Sequence, residues 1–582
     1  ECAFPPTQFY QKEPLWIVLS LAMIILVDLL IIFLTNSIRV GSVIVPFVLF
    51  IFAVVVCVVY EFRGIPMMAP DILTVQTATS VMGNYTFKLT FEQYSVILVC
   101  MAFFFTFLRL HEVKVTEKRV FHIAGFIVVA LGCGLFTNQI ILSDFMEEHQ
   151  INIRMFRPME SYQKYGGVLT FARSVGYAVV KKPEGYTTAK VDQIIQEYEK
   201  KSANEQQSTA KQYPNIITVV NETFADIKVL GDFKTNEDYM PYFHSLKKNC
   251  VTGYTYASIV GGQTANTEFE LLTGNTLGFL SAGTTAFQLY IHGQMPSLVS
   301  NLKAEGYSGN KAMHPFNPYN YNRPAVYKDF GFTDFIDKFD FPKNVKRVRE
   351  YISDEANVDR IISEYEKNRK KTDQPFYMYN MTIQNHSPYD KDAANFKQPI
   401  KIESSKYDAE ANRYLNLIKY SDDSLKQLTS YFEKCKEPTI ILFLGDHQPR
   451  LTDEFMNKIT NGQYQTWSSE QMMKRYQVPF VIWANYDIKE QHIEKTSMNY
   501  IQSILTKTAG VKMTGYQRFL NEVRKEVPTI TSQGYWGKNG KFYQINDKGS
   551  PYYGIIQKYR MIQYNMMFDK KNRRDSFFEV SK

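Results

Sequence analysis

Hydrophobic residues along this chain follow two unlike patterns. In the first quarter they form long runs near Leu15–Leu34, Ser42–Tyr60, Gln93–Leu110 and Phe121–Ile140. A helix needs about 20 apolar residues to cross a bilayer, so residues 1–142 read as a bundle of four transmembrane helices. From Tyr213 onward the runs shorten to strand length and alternate with helix-period stripes, which indicates an α/β domain. Predicted strands are Ile216–Val220, Phe376–Thr382, Ile440–Leu444 and Pro479–Ala484. Predicted helices include Pro296–Glu305, closed by Gly306, and one striped by Leu415, Ile418, Leu425, Leu428 and Phe432. A third is bracketed by Ser497 and Gly510. Residues 143–212 read as a juxtamembrane helical connector followed by a polar hinge over 190–212. The α/β domain then occupies 213–530, and 531–582 reads as a small β element plus a Tyr- and Met-rich helix packing back on it.

The loops set an orientation. Arg39 lies in one short connection, and Arg109, Lys114, Lys118 and Arg119 lie in another, so both read as cytoplasmic by the positive-inside rule. The α/β domain is then extracellular. Arg154, Arg157 and Arg173 follow on that outer side, where long translocated segments escape the rule. Asp28, in mid-span, is costly in lipid and should face other helices or water, for pairing or for function. The loop 63–85, with Pro66, Met67, Met68 and Pro70, is expected partly in the membrane interface. The chain opens Glu1-Cys2, so residues upstream are expected.

Mean hydropathy of −0.26 averages these two parts, and the net charge of +8 is spread along the chain. No Lys/Arg block marks a nucleic-acid footprint; anionic lipid or wall polymer is the better match for a mild cationic excess. The six cysteines are scattered and contain no C-x-x-C. That excludes a zinc ribbon or thioredoxin-like motif, gives no disulfide framework and suits a Gram-positive surface.

Candidate chemistry collects at strand ends. Gly445-Asp446-His447 follows one buried run, and Glu222-Thr223 follows another. Ligands of open α/β sheets bind beyond the carboxyl ends of the strands, and carboxylate with imidazole makes a divalent-metal half-site. Between them, Gly261-Gly-Gln-Thr264 fits a tight turn presenting a hydroxyl at a helix start, where negative charge is favoured. The residues alone fit an N-cap threonine as well as a nucleophile.

Taken together, Asn221-Glu-Thr-Phe224, Gly262-Gln-Thr-Ala-Asn-Thr-Glu-Phe-Glu270, Gly274-Asn-Thr276, Asn385-His-Ser-Pro-Tyr389 and Gly445-Asp-His447 resemble the lipoteichoic acid synthase family. These are membrane phosphoglycerol transferases of the alkaline phosphatase/sulfatase-like superfamily, and the resemblance runs from the membrane helices to the C-terminus. It implies an extracellular α/β/α sandwich with a small C-terminal subdomain. It implies manganese or magnesium held by Glu222, Asp446, His447 and Thr264, with Thr264 also the nucleophile. Head-group contacts would come from His314, Tyr321, Arg323 and His386. Tyr321 stands where the family has Trp, and Phe316 where an acidic residue is frequent, which reshapes the glycerol pocket. The implied reaction moves glycerol phosphate from phosphatidylglycerol to a glycan or polyglycerophosphate acceptor at the membrane. Rival readings are a phosphoethanolamine transferase, or a non-catalytic sensor or scaffold on the same fold. A sulfatase in the strict sense needs a C-x-P-S-R-like motif, which neither Cys250-Val-Thr-Gly nor Cys435-Lys-Glu-Pro supplies.

Overall fold

The computed structural model describes residues 14–63, 66–69, 72, 91–109, 111–143, 145–149, 151, 158–178, 180, 182–202, 212–281, 284–403 and 409–580. The chain divides into two compact units, Glu1–Val180 with Ser281–Thr284, and Lys181–Leu280 with Thr285–Lys582.

The first unit is helical: α1 (Pro14–Thr35), α2 (Ile38–Arg63), α3 (Phe91–Leu108) and α4 (Arg119–Phe136), the last running on as a π turn to Ile141. Among the described residues, three helices are long and apolar enough to span a bilayer: Leu15–Thr35, Ile38–Cys57 and Arg119–Ile141. They mark a membrane protein. The third predicted run falls short of the other three, with an apolar stretch of only Ile97–Leu108, because α3 begins in the polar turn Phe91-Glu-Gln-Tyr94. A helical turn at Phe145–Glu148 and two short helices, α5 (Pro158–Tyr165) and α6 (Gly167–Ala178), follow among the described residues of this unit. They bury Tyr162, Tyr165 and Leu169 against Trp16, Leu19, Val56 and Ile141. Arg173 on α6 donates to the Ile141 carbonyl at 2.7 Å, satisfying a carbonyl at the end of the last span. Most of the loop 63–85 lies outside the described residues; Met67 and Met68 are buried in the same cluster.

The second unit opens on α7 (Thr188–Ser202), which overlaps the stretch expected as a polar hinge. Its Val191, Ile194, Ile195 and Tyr198 recur at helical spacing and are buried, while its charges occupy the outer face. Residues 203–211 of that stretch lie outside the described residues. There follow β1 (Asn215–Asn221), β2 (Cys250–Tyr256), α8 (Thr264–Thr273), β3 (Ser308–Met313), α9 (Arg323–Phe330) and β4 (Asp334–Ile336). Next come a hairpin of β5 (Arg347–Val348) and β6 (Tyr351–Ile352), then α10 (Asp354–Arg369), β7 (Phe376–Met381), α11 (Ala409–Phe432), β8 (Thr439–Gly445), β9 (Gln477–Ala484) and β10 (Gln491–Ser497). After α12 (Met498–Thr508) and α13 (Gly515–Glu526), a three-stranded sheet of β11 (Thr529–Thr531), β12 (Gly534–Trp536) and β13 (Phe542–Tyr543) leads to α14 (Tyr553–Met567).

The main sheet has the order β10-β2-β9-β8-β1-β7-β3-β4. Only β9 runs against its neighbours. Successive side chains of a strand point to opposite faces, and the core obeys this. Ile216 and Val220 of β1 join Ile440, Leu442 and Leu444 of β8 on one face, while Ile217 and Val219 join Ile441 and Phe443 on the other. α11 covers the second face, and α8, α12, α13 and α14 cover the first. The unit is therefore an α/β/α sandwich, its C-terminal strands and helix packed back on it. The four predicted strands are present; β2 (Cys-Val-Thr-Gly-Tyr-Thr-Tyr) and β3 (Ser-Gly-Asn-Lys-Ala-Met) escape prediction because neither contains an apolar run.

Candidate active site

β1 and β8 are parallel neighbours in a register that pairs Asn221 with Gly445, so the next residues, Glu222 and Asp446, leave the sheet side by side. Gly445 is needed at this crossing, because a Cβ there would lie 1.8 Å from the Phe224 carbonyl oxygen. Asp446 Oδ1 accepts from the backbone N–H of Thr223 at 2.6 Å and of His447 at 2.8 Å. Thr223 holds φ at 55°, a strained conformation for a β-branched residue, and its hydroxyl donates to Glu222 Oε1 at 2.8 Å.

Ligand atoms of Glu222, Asp446 and His447 lie within 4.8 Å of one another, and all three residues are buried. His447 Nε2 stands 3.2 Å from Asp446 Oδ2 and 3.8 Å from Glu222 Oε1. His447 Nδ1 lies 3.0 Å from the Gln448 carbonyl and donates to it in the matching tautomer. That leaves Nε2 facing the carboxylates, buried and without a hydrogen bond, since a bond from the other ring nitrogen orients a metal-ligating imidazole. Burial, and then the Asp446 charge beside it, pushes the Glu222 carboxyl well above the usual range. Two buried oxygens in mutual repulsion, with an imidazole lone pair aimed at them, are compatible with a divalent metal.

Thr264 comes to the same point from α8. Gly261, Gly262 and Gln263 hold φ at 68°, 145° and 65°, turning the chain sharply into the helix. Thr264 Oγ1 then lies 2.9 Å from Asp446 Oδ2 and 3.4 Å from Glu222 Oε2. Thr267, one turn on, donates to the Asp446 carbonyl at 2.8 Å and fastens the helix start to the β8 end. The hydroxyl thus sits in the positive end of a buried helix against the carboxylate pair.

The other predicted residues form a second layer. His314 directly follows β3, is 2 % exposed, and pairs through Nδ1 with the Met381 carbonyl at 3.0 Å. Burial, and next the Arg323 charge, holds its pKa well below the ordinary range. Arg323 is fully buried, and two of its nitrogens donate to Glu268 Oε1 at 3.0 and 2.7 Å. Tyr321 and Asn322 both adopt left-handed backbone, with φ of 59° and 56°, which puts the Tyr321 ring 5.1 Å from the Arg323 guanidinium. His386 is half-buried, its Nδ1 2.7 Å from the Ser387 carbonyl, and burial lowers its pKa.

Sequence reasoning missed the parts that hold this layer. Glu268 pairs with Arg323 while its Oε2 accepts from Tyr327 at 2.5 Å and Tyr379 at 3.0 Å. Arg349 clamps the His386 loop, donating to the carbonyls of Gln384, His386 and Pro388 at 2.9, 2.7 and 2.7 Å. Asp354 Oδ2 accepts from Asn221 at 2.7 Å and Ser421 at 2.6 Å, and Asn385 donates to Asn221 at 3.1 Å, joining the β1 end to the His386 loop. Glu268 lies inside a motif already singled out; nothing local distinguishes Arg349 or Asp354.

Residues 214–511, more than half of the chain, match the Sulfatase family model. The chain belongs to the sulfatase family. Within that family it is lipoteichoic acid synthase-like. It is 30 % identical over 433 residues to the putative cyclic beta-1,2-glucan modification protein of Rhizobium meliloti, a match covering 73 % of this chain and 65 % of that protein. It is 23 % identical over 374 residues to the lipoteichoic acid synthase of Staphylococcus saprophyticus, covering 62 % and 55 %. The chain thus spans less than two thirds of the length of these relatives. Among solved structures, the phosphoglycerol transferase GacH of Streptococcus pyogenes, in complex with sn-glycerol-1-phosphate, superposes with a TM-score of 0.56 at 20 % identity. That match covers 69 % of this chain and 100 % of that one, and it shows that this sulfatase-family chain shares the fold.

Proposed function

We propose that this chain is a membrane-anchored phosphoglycerol transferase, its α/β unit extracellular, moving glycerol phosphate from phosphatidylglycerol to a cell-envelope acceptor through a covalent threonine intermediate. The observation that carries this reading is the Thr264 hydroxyl, 2.9 Å from Asp446 and 3.4 Å from Glu222 at a helix N-terminus. A weak nucleophile placed there is activated where phosphoryl charge is also accommodated.

In the first half-reaction Thr264 Oγ attacks the phosphorus, and the bond from phosphorus to the diacylglycerol oxygen breaks. The threonine proton passes first to Asp446 Oδ2, its hydrogen-bond acceptor, and ends on the departing oxygen. In the second half, an acceptor hydroxyl attacks the same phosphorus and the bond to Thr264 breaks. His386 is neutral because burial lowers its pKa. Its Nε2, opposite the nitrogen paired with Ser387, takes the acceptor's proton, which returns to Thr264 Oγ. His314 and Arg323 line the phosphoryl and glycerol side, where a guanidinium suits a pair of phosphoryl oxygens. Glu222, Asp446, His447 and Thr264 would hold Mn2+ or Mg2+, which lowers the hydroxyl pKa and offsets charge on the phosphoryl oxygens. A relative named for cyclic glucan modification supports a glycan hydroxyl as acceptor over a growing glycerophosphate chain.

The test is the intact mass of the full-length chain after incubation with manganese and phosphatidylglycerol. A glycerophosphate-sized adduct that maps to Thr264 and vanishes in Thr264→Ala establishes donor and nucleophile together. No adduct and no released diacylglycerol would send the reading to another phospholipid head group.

A further inference from the structure

β8, β1, β7, β3 and β4 are consecutive parallel neighbours, so their carboxyl ends form one continuous crest. The metal-type cluster occupies the ends of β8 and β1. Beside it β7 leads to the His386 loop, β3 to His314 and Phe316, and β4 to Asp337-Lys-Phe-Asp340. Three strand spacings of about 4.8 Å put the β4 end roughly 14 Å from β1.

Rings line that distance. Phe316 and His386 stack with centroids 6.3 Å apart, and Tyr351 packs on both, at 6.1 and 5.8 Å. The Lys338 N–H donates to the Phe316 carbonyl at 3.4 Å, tying the β4 end to this cluster. The Lys338 ammonium lies 6.0 Å from the Phe316 ring and 5.0 Å from the Phe339 ring. Phe339 is 73 % exposed and Tyr319, three residues after Phe316, is 56 % exposed. Among the described residues of this unit, these are the two large hydrophobic side chains left in solvent. Exposed rings continuous with a reaction centre mark a ligand surface.

The chemistry of the crest selects its occupant. An aromatic face carries partial negative charge and attracts the C–H groups on one face of a pyranose, whose hydroxyls stay free. A polyanion needs a run of cations instead, and so does an anionic bilayer surface. Asp337-Lys-Phe-Asp340 carries two acids against one base, and of the cations that follow toward Tyr351, Lys346 pairs with Glu355 while Arg347 and Arg349 donate to the carbonyls of Glu350 and Pro388, which breaks up any run beyond Lys343. We propose that the ring-lined crest from His386 and Phe316 to Phe339 is the acceptor subsite, and that it binds a neutral oligosaccharide rather than an anionic glycerophosphate chain. This deepens the transferase reading and rests on it for the word acceptor.

Binding tests it independently of turnover. The full-length chain in phosphatidylcholine nanodiscs is titrated calorimetrically with cellotetraose and with a glycerophosphate trimer. Expected are binding of the tetrasaccharide, a rise in its Kd of about tenfold in Phe339→Ala and in Phe316→Ala, and near wild-type affinity in Phe339→Trp, which keeps a ring. Three results would each overturn the proposal. They are no tetrasaccharide binding, tighter binding of the trimer, or unchanged sugar affinity in Phe339→Ala with weakened capture on phosphatidylglycerol vesicles, which would make Phe339 a lipid contact. Diacylglycerol release from phosphatidylglycerol by the wild type is measured separately. Its absence sinks the transferase reading and leaves the binding arm to decide whether the crest takes a sugar.

Discussion

Arg323 and Glu268 are 2 % and 0 % exposed and are bonded directly. Neither charge has solvent to fall back on, so removing one leaves the other buried and unpaired. Glu268→Gln is expected to cost about 3–5 kcal/mol, read as a lower unfolding midpoint, and Arg323→Met in the same chain should recover part of the loss. Glu270, on the same helix, is a different case. Burial raises its pKa to about 7, against hydrogen bonds from Leu277 and Ser258 that pull it down, and its Oε2 has no partner. The folded state therefore keeps a proton that the unfolded chain releases near 4.5. The contribution is fully present below about pH 4.5 and is lost as pH rises to about 7, at up to about 1.4 kcal/mol per pH unit. Thermal melts should show Glu270→Gln gaining on the wild type between pH 5 and pH 8; a constant gap across that range would contradict the assignment.

At the scale of elements, the site is a meeting of two strand ends and one helix start. Glu222 and Asp446 are level because of the β1–β8 register, and Thr264 joins them because three left-handed residues deliver α8 to the same point. Gly445 is where this fails first. A methyl group there overlaps the Phe224 carbonyl, and relief requires moving the strand end that carries Asp446. Gly445→Ala is expected to cost about 1–3 kcal/mol and, more tellingly, to abolish the stabilisation that manganese gives the wild type. Differential scanning fluorimetry with and without the ion reads both. Glu222 and Asp446 were legible in the sequence because each follows a short buried run. The β5–β6 hairpin that carries Arg349 to the His386 loop was not, since two-residue strands leave no periodicity to read.

On the scale of the whole molecule, one unit is apolar helix and the other carries every ligand of the candidate site. Metal binding should therefore stabilise the α/β unit. With manganese at 100 times its Kd, that unit gains about 2.7 kcal/mol, and a chelator removes it. In a melt followed by tyrosine and tryptophan fluorescence, the transition assigned to the α/β unit should move. No shift of that transition would count against the cluster of Glu222, Asp446 and His447 as a resident metal site. The division of the chain was visible in hydropathy, because membrane spans and sheet strands differ in length by several-fold.

Local pattern carried what depends on neighbours along the chain: the apolar spans, the buried strands and the chemistry-bearing residues just beyond them. It also carried the sulfatase-type motifs, since each is a short contiguous stretch. Pairings across the fold were set by tertiary structure alone. Glu268 and Arg323 are 55 residues apart, Asn221 and Asp354 are 133 apart, and the ring-lined crest draws Phe316, Phe339, Tyr351 and His386 from four separate segments. Strand order decides which residues meet at the edge of the sheet, and strand order is fixed by the packing of helices on both faces rather than by any single run of residues.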